Sequence, residues 1–545
     1  MKGASLLRRL AGPASAAFVA LAALYANMPA PVTGAGHGSR QSAAPVAAPR
    51  PAAPRAGGSV AVRLRSAPDC LDPQKTASDA SYTVVQTIVD TLVSMDDRGR
   101  IRPNLAMSWD YGHGNTWLTF HLYRDVRFSN GDPLDAAAVA FTFARAVEPA
   151  TKSPVSASLL DGVKGVRVLD RYTVRLILRA PQRTLLPNLS SAYAGILDPR
   201  AIKRAGDASC RFPIGSGPFV VENIGPGFST VTLARNPRYH RAPPWAYHQG
   251  PAYLSTVVFK SIASDATATS ALLTGGIDIS NVAGDQLMRV KDAPTLTFQT
   301  VREQGEYYLG FNTARRPFDT VEARRAVAQA VDKRALIAVA AAGRAVPDAG
   351  ALPSSVPYYD PSAARYAPRY DVGAARRYAG AHPLARPVTL LAPADPERTA
   401  AAEYIQAQLG QVGLAVTIVT QASRGVLGSN LAGGHYDLAL LSWTYPDPDI
   451  LYLLFHSSQE VDGGSNFTFY HNAALDQALA EGRVATNATE ARRVYADAQR
   501  IIAANALIVP LFTNVTTYAV NKRVHGLHPT PQGPLTTLFQ DLWAP

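Results

Sequence analysis

At 545 residues the chain exceeds what one hydrophobic core ordinarily serves, so two or three subdomains are expected. Apolar residues make up 47% and charged residues 17%, and 41 prolines with 40 glycines imply many loops around ordinary cores, which excludes a fibrous or wholly disordered chain. The net charge of +12 is spread along the sequence with no Lys/Arg tract interleaved with aromatics, so attraction to anionic envelope surfaces is expected and nucleic acid is not.

Lys2, Arg8 and Arg9 precede the apolar run 16–24, the pattern of a charged n-region followed by the short h-region of an export signal. The run falls short of the roughly 20 residues that a spanning helix needs. Residues 1–30 therefore read as a signal peptide, with an uncleaved anchor as the other reading; small residues near Ala30 or Ala35 suit cleavage, and Arg8-Arg9 hints at the twin-arginine route. Residues 31–58 are Ala, Pro, Gly and Ser with hardly a large apolar side chain, which cannot offset the entropy of ordering, so they read as a disordered linker. No cysteine follows the signal segment to carry a lipid, and the protein is expected in the periplasm, in the cell envelope or secreted. The two cysteines, Cys70 and Cys210, leave a disulfide and a pair of buried thiols both open, because spacing does not fix the Cα separation.

Along the rest of the chain, Val60, Val62 and Leu64 alternate with Arg63 and Arg65, a half-buried strand closed by Cys70-Leu71-Asp72-Pro73. Val85, Ile88, Val89 and Leu92 recur at helical spacing and predict a helix over 82–92. Trp117, Thr119 and His121 alternate with Leu118, Phe120 and Leu122, a strand; Asn130-Gly131-Asp132-Pro133 supplies a turn, and Asp135 stands where its carboxylate can take the free amides of a following helix. Residues 172–178 read as a strand. Gly215-Ser216-Gly217 lacks the Lys and the following helix of a phosphate loop, so residues 213–219 read as a turn. Asp319-Thr320-Val321-Glu322 fits a capping box ahead of a helix with Val327, Val331, Ala335 and Ala338 on one face and Gly343 as its stop, leaving Arg324, Arg325, Lys333 and Arg334 for the solvated surface. Strands at 388–391, 415–420 and 436–443 alternate with helices at 401–409 and up to about 505, as in a mixed α/β lobe, and 507–512 reads as a last buried strand.

Residues 104–147, with Pro103-Asn104-Leu105-Ala106 and Trp109, closely resemble a signature of the peptide/nickel-type extracytoplasmic solute-binding proteins of ABC importers. The resemblance extends through Leu71-Asp72-Pro73, the turn 213–219, Tyr308-Leu309-Gly310-Phe311-Asn312, Pro317-Phe318, Arg324-Arg325-Ala326-Val327, Ala330-Val331-Asp332-Lys333, and residues 436–454 and 491–512. It implies an α/β fold: a two-lobed periplasmic-binding-protein clamp with mixed sheets, an extra subdomain on the first lobe and a hinge between lobes. On that reading 59–88, 195–275 and 505–545 form the first lobe, 89–194 the extra subdomain and 276–504 the second lobe.

The same resemblance places the ligand between the loop after Leu71-Asp72-Pro73 and the loop after Trp443, and so implies Ser78, Asp79, Tyr82, Trp443, Thr444, Tyr445 and Asp447 as ligand-binding residues. Peptide-binding relatives carry an Asp three residues after that Trp to pair with a peptide's amino group, and this chain has Pro446 there. Asp447 or Asp449 is left to take over, a tight turn with Asp449 capping a helix at Ile450 being the plainer reading; Asp79 is a second carboxylate, equally well placed in a solvated loop. Tyr82, Trp443 and Tyr445 suit an apolar pocket, or Trp443 completes a core. No G-x-S-x-G elbow, H-E-x-x-H helix or Cys-His pairing is found, and the eleven histidines show no ligand spacing, so neither an enzyme, a metal site nor a cofactor is expected. The expected protein is a monomeric solute-binding component that captures a short peptide for an ABC permease. The alternatives are a binder of a glycan, metal chelate or other small molecule, a secreted hydrolase, and a ligand sensor.

Overall fold

The computed structural model describes residues 53–545 apart from 113, 422–423, 461–464, 486 and 532–534, so the expected signal peptide and most of the linker lie outside the described residues. Its centre is one long strand, Ile508–Asn521, that serves two sheets. The first half pairs with Gly305–Phe311 and Ala345–Pro347, with Tyr307 opposite Phe512; the second half pairs with Ile279–Asn281 and Leu296–Arg302, with Tyr518 opposite both Asn281 and Gln299. A second crossing runs beside it, where Leu296–Arg302 passes through Glu303 and Gln304 into Gly305–Phe311. Two adjacent extended segments thus join the lobes, and everything else divides to one side or the other.

In the first lobe Ser59–Leu64 runs parallel to Thr256–Ser261, which continues antiparallel through Thr230–Arg235 to Phe219–Ile224. Val60, Val62, Leu233, Val257 and Phe259 share one buried face, as the two-residue period of a strand requires. The extra subdomain is a four-stranded antiparallel sheet, Ala106–Gly112, Trp117–Leu122, Thr173–Leu178 and Val163–Asp170, under the helix Ala136–Val147. Asp135 caps that helix, its Oδ1 accepting from the amides of Ala137 at 3.1 Å and Ala138 at 3.2 Å. Leu118, Phe120, Val139, Phe143 and Val174 close a separate core beneath it. In the second lobe Val416–Gln421, Val388–Pro393, Leu438–Thr444, Gly305–Phe311 and the first half of the long strand form a sheet around Leu309, Phe311, Leu390, Leu438 and Leu511.

Backbone pairing corrects the expected lobe boundaries. Ile279 lies opposite Val62, and residues 296–302 pair with 515–521, so residues 276–302 belong to the first lobe's sheet; residues 508–512, expected in the first lobe, pair with the second. Apolar alternation marks a strand but not its neighbour, and the neighbour decides the lobe.

Two helices also differ from expectation. The helix expected over 82–92 is Asp79–Val85. Beyond it, Thr87 Oγ donates to the Val84 carbonyl at 2.7 Å, while the carbonyls of Thr87 and Ile88 accept from Phe219 at 3.0 Å and Gly217 at 2.9 Å. The turn 213–219 thus takes the acceptors a longer helix would use, and glycine is required there because a Cβ on Gly217 would stand 2.6 Å from the Ile88 carbonyl carbon. The single helix expected after Thr320 is two, Val321–Ala330 and Lys333–Ala340, because Val331 turns extended and Asp332 caps a new start through the amides of Arg334 at 3.0 Å and Ala335 at 3.1 Å. Arg324 and Lys333, expected on the surface, serve as tethers: buried Arg324 donates to the carbonyls of Asn505 at 3.0 Å and Phe318 at 2.7 Å, and half-buried Lys333 to that of Asp348 at 2.8 Å.

Cys70 and Cys210 are joined by a disulfide with Cα atoms 4.5 Å apart. Beside it Arg145, on the subdomain helix, grips Asp72 with bonds of 3.2 and 2.7 Å, and Ser209 Oγ donates to the same carboxylate at 2.8 Å. Among the described residues no helix is long and apolar enough to cross a membrane.

Candidate functional site: an interlobe cleft

A cavity of about 740 Å³ lies over the two crossings. Asp79 and Tyr82 border it from the first lobe, Val301, Glu303, Thr516 and Tyr518 from the crossing strands, and Thr444, Tyr445 and Pro446 from the second lobe. Its walls are aromatic. Tyr82 and Tyr193 face each other at 5.1 Å between ring centres, tilted by 54°. Burial raises the phenols of Tyr82, Tyr193 and Tyr445, so all three remain neutral hydrogen-bonding groups at physiological pH.

The charged groups at the cleft are unequally committed. Arg63 donates to the carbonyls of Ile262 at 2.9 Å and Ala263 at 3.1 Å and pairs with Asp265 at 2.7 Å, so it serves the fold. Arg65 shares Asp265 at 3.1 Å. Glu303 accepts from Thr516 Oγ at 2.7 Å, and Asp79 stands exposed in the first turn of its helix. The cleft therefore offers two carboxylates and aromatic surface, with main-chain groups of the crossing strands between them.

Of the seven residues inferred for ligand binding, Asp79, Tyr82, Thr444 and Tyr445 line the cleft and three do not. Ser78 caps the helix, accepting from the Ser81 amide at 3.4 Å through its side chain. Trp443 is only 8% exposed and packs into the second lobe's core, opposite Glu306 in the sheet; the core reading holds for it. Asp447 is 2% exposed and is held by an arginine from the other side of the cleft. Asp449 occupies the cap position of Ile450–Phe455 but makes no capping bond with its side chain; it lies 3.3 Å from Arg483.

That arginine is Arg183, in the loop of the extra subdomain between Thr173–Leu178 and Leu185–Leu189. It meets Asp447 through both terminal nitrogens, one at 2.9 Å, and donates further to Tyr495 Oη at 3.1 Å and the Gly482 carbonyl at 3.1 Å; its own amide donates to the Arg483 carbonyl at 2.8 Å. The guanidinium also lies over the rings of Tyr358 at 5.6 Å and Tyr495 at 5.2 Å. Burial works against its charge, but Asp447 and Tyr495 outweigh that and leave the group more firmly protonated than a free arginine. Arg183 thus forms a latch between the subdomain and the second lobe, and Pro446, next in chain to its acceptor, lines the cleft.

Several buried carboxyls nearby are shifted upward. Burial lifts Asp449 to about 7, with Arg483 only partly opposing it, and lifts Asp348 to about 6 against its bond from Thr513 and its pairing with Arg302. A carboxyl whose folded pKa exceeds its unfolded value stabilises the fold fully below the unfolded pKa, about 4, and loses that contribution as pH rises through the folded one. The free energy of unfolding is therefore expected to fall between pH 5 and 7.5 from these two groups. Asp449→Asn should flatten that slope and raise the melting temperature at pH 7.5; calorimetry at the two pH values giving parallel curves for both chains would contradict the assignment.

A two-lobed α/β body with two strand crossings, a cleft over them and a contact that spans it is a ligand clamp. The chain belongs to the bacterial extracellular solute-binding proteins, family 5, whose model matches residues 100–463. It is 26% identical over 475 residues, 84% of this chain and 89% of the relative, to the probable D,D-dipeptide-binding periplasmic protein DdpA of Escherichia coli K12. Among solved structures it resembles HbpA2 from Haemophilus parasuis, with a TM-score of 0.80 and 22% identity over 90% of this chain and 100% of that one. It also resembles DppA from Helicobacter pylori in complex with the peptide STSA, with a TM-score of 0.67 and 24% identity over 90% and 98%. The family consists of substrate-binding proteins of transporters, not of enzymes.

Proposed function

We propose that this chain captures short peptides outside the cytoplasm in its interlobe cleft and delivers them to an ABC permease, without catalysing a reaction. The observation that carries this is the cleft itself, whose volume of about 740 Å³ falls in the usual range of small-ligand sites. Extended strand edges at its floor suit a peptide backbone, whose hydrogen bonds do not depend on side-chain identity. Aromatic walls of Tyr82, Tyr193 and Tyr445 accept varied side chains. The dipeptide-binding relative and the peptide-complexed structure support the same reading. The basic, apolar N-terminal segment supports export through a signal peptide, and the absence of a cysteine just after it favours release or a tether other than a lipid.

Native mass spectrometry of the gently purified protein should show a retained peptide mass, and a mixed tripeptide pool should raise the melting temperature. Tyr445→Ala should weaken binding about tenfold, equivalent to roughly 1.4 kcal/mol. A protein that carries no adduct and melts unchanged in the pool is not a peptide binder. Pro446, standing where a carboxylate for the peptide amino group was expected, makes a non-peptide solute the second reading, and a non-peptide adduct would establish it.

A further inference from the structure

A second cavity of about 100 Å³ adjoins the cleft, sharing Tyr82, Met95, Ser190 and Thr530 with its lining. Its volume would hold about three waters at liquid density, or the polar head of one side chain. Two of its lining groups lack a complement, a carboxylate without a cation and an amide nitrogen without an acceptor. Asp90 is 8% exposed, accepts from Ser216 Oγ at 2.8 Å and from the Asn104 side chain, and forms no ion pair among the described residues. Gln540 is 3% exposed, and its amide nitrogen has no hydrogen-bond partner among the described residues.

Asp90 differs from most of the buried aspartates around the fold in having no guanidinium partner among the described residues. Asp72 is held by Arg145, Asp96 by Arg100 and Arg102, Asp278 by Arg523, Asp437 by Arg386 and Asp447 by Arg183. Where this chain buries a carboxylate it generally supplies a guanidinium, as the cost of an unpaired buried charge demands. Asp198 and Asp541 are likewise buried without a cation among the described residues, held by the Asn130 side chain and by the amides of Tyr247 and His248. Asp90 instead has the Ser216 hydroxyl, the Asn104 side chain and a chamber in front of it.

We propose that this chamber is a specificity pocket for a basic side chain of the bound ligand, with the Asp90 carboxylate as its counter-charge. The inference rests on the peptide reading of the cleft. An ammonium or guanidinium entering past Tyr82 would supply the missing cation, and the Gln540 amide, rotated by half a turn, would present its oxygen to the same head. Burial holds the Asp90 carboxyl up at about 6, a shift that a cation in contact would reverse.

The test is calorimetric titration of the full chain with Ala-Lys-Ala, Ala-Arg-Ala and Ala-norleucine-Ala. The wild-type protein should bind the basic peptides at least tenfold more tightly than the norleucine peptide, about 1.4 kcal/mol. Asp90→Asn should reduce that ratio to below about twofold, and Gln540→Glu, which adds a carboxylate to the same chamber, should widen it. Peptides that bind the wild-type protein without preference for the basic residue overturn the pocket alone. A uniform loss of affinity for all three in Asp90→Asn makes Asp90 a structural residue and also overturns it. If Asp90→Asn does not fold, an unchanged ratio in Gln540→Glu decides against the pocket. Failure of all three peptides to bind the wild-type chain removes the pocket together with the peptide reading.

Discussion

Replacing Arg183 by alanine is expected to loosen the clamp and weaken ligand capture by tenfold to a hundredfold, about 1.4 to 2.8 kcal/mol. The Arg183 and Asp447 side chains are 12% and 3% exposed, so salt and solvent screen the pair weakly. Removing one partner of such a pair costs about 3–5 kcal/mol, mostly because the other charge stays buried without compensation. Here that penalty has an escape. Arg183 belongs to the subdomain while Asp447, Tyr495 and the Gly482 carbonyl belong to the second lobe, so separating the lobes rehydrates Asp447 without unfolding either side. The stored penalty therefore biases the molecule toward an open form, and a ligand that needs both walls binds only in proportion to the remaining closed fraction. Small-angle scattering of the ligand-free variant should show a larger radius of gyration than the wild-type protein. The double variant Arg183→Met with Asp447→Leu should recover much of the lost affinity, since an apolar pair of similar volume removes the unpaired charge. A variant with the wild-type scattering profile and unchanged affinity would show that the pair does not couple the lobes.

The latch also shows where the sequence was readable and where it was not. Period-two alternation over 117–122 and an Asp placed before an alanine-rich run are local patterns, and both appear in the structure as a strand and a capped helix. The helix expected over 82–92 failed because its last carbonyls are taken by a turn about 130 residues later, which no local period records. Asp447 lies off the cleft lining for the same kind of reason: its partner is 264 positions away in a different subdomain, in a loop with no distinguishing pattern. Arg324 and Lys333 looked solvated because a charged side chain in a helix usually is, and the tertiary acceptors that hold them are carbonyls, which every sequence has. Glu303, Tyr193 and Tyr518 border the cleft without forming any motif; only the meeting of the crossing strands with the subdomain brings them together. Tyr82 and Tyr445, each just after a motif that fixes its loop, do line the cleft.

The Cys70–Cys210 disulfide is the other site where a large effect is expected. It closes a loop of 140 residues that contains the helix Asp79–Val85 and the whole four-stranded subdomain. The chain-entropy estimate for a loop of that length is about 5 kcal/mol, and native bridges typically deliver about 2–5 kcal/mol. Replacing both cysteines by serine should therefore lower the free energy of unfolding by about 2–5 kcal/mol. Since the gain arises chiefly in the unfolded chain, the folded variant should retain the cleft. The local contacts are arranged to keep it so: the Leu71 amide donates to the Cys210 carbonyl at 2.8 Å, and Arg145 with Ser209 continues to hold Asp72, so the turn ahead of the helix Asp79–Val85 stays anchored without the sulfur bridge. Guanidinium unfolding of the wild-type protein with and without reductant, beside the double-serine variant, separates the contributions. The reduced wild type and the variant should share one lowered midpoint while the oxidised wild type stands above both. A midpoint that does not move on reduction would mean that the subdomain is held by its packing and by the Asp72–Arg145 pair, with the covalent link contributing nothing measurable.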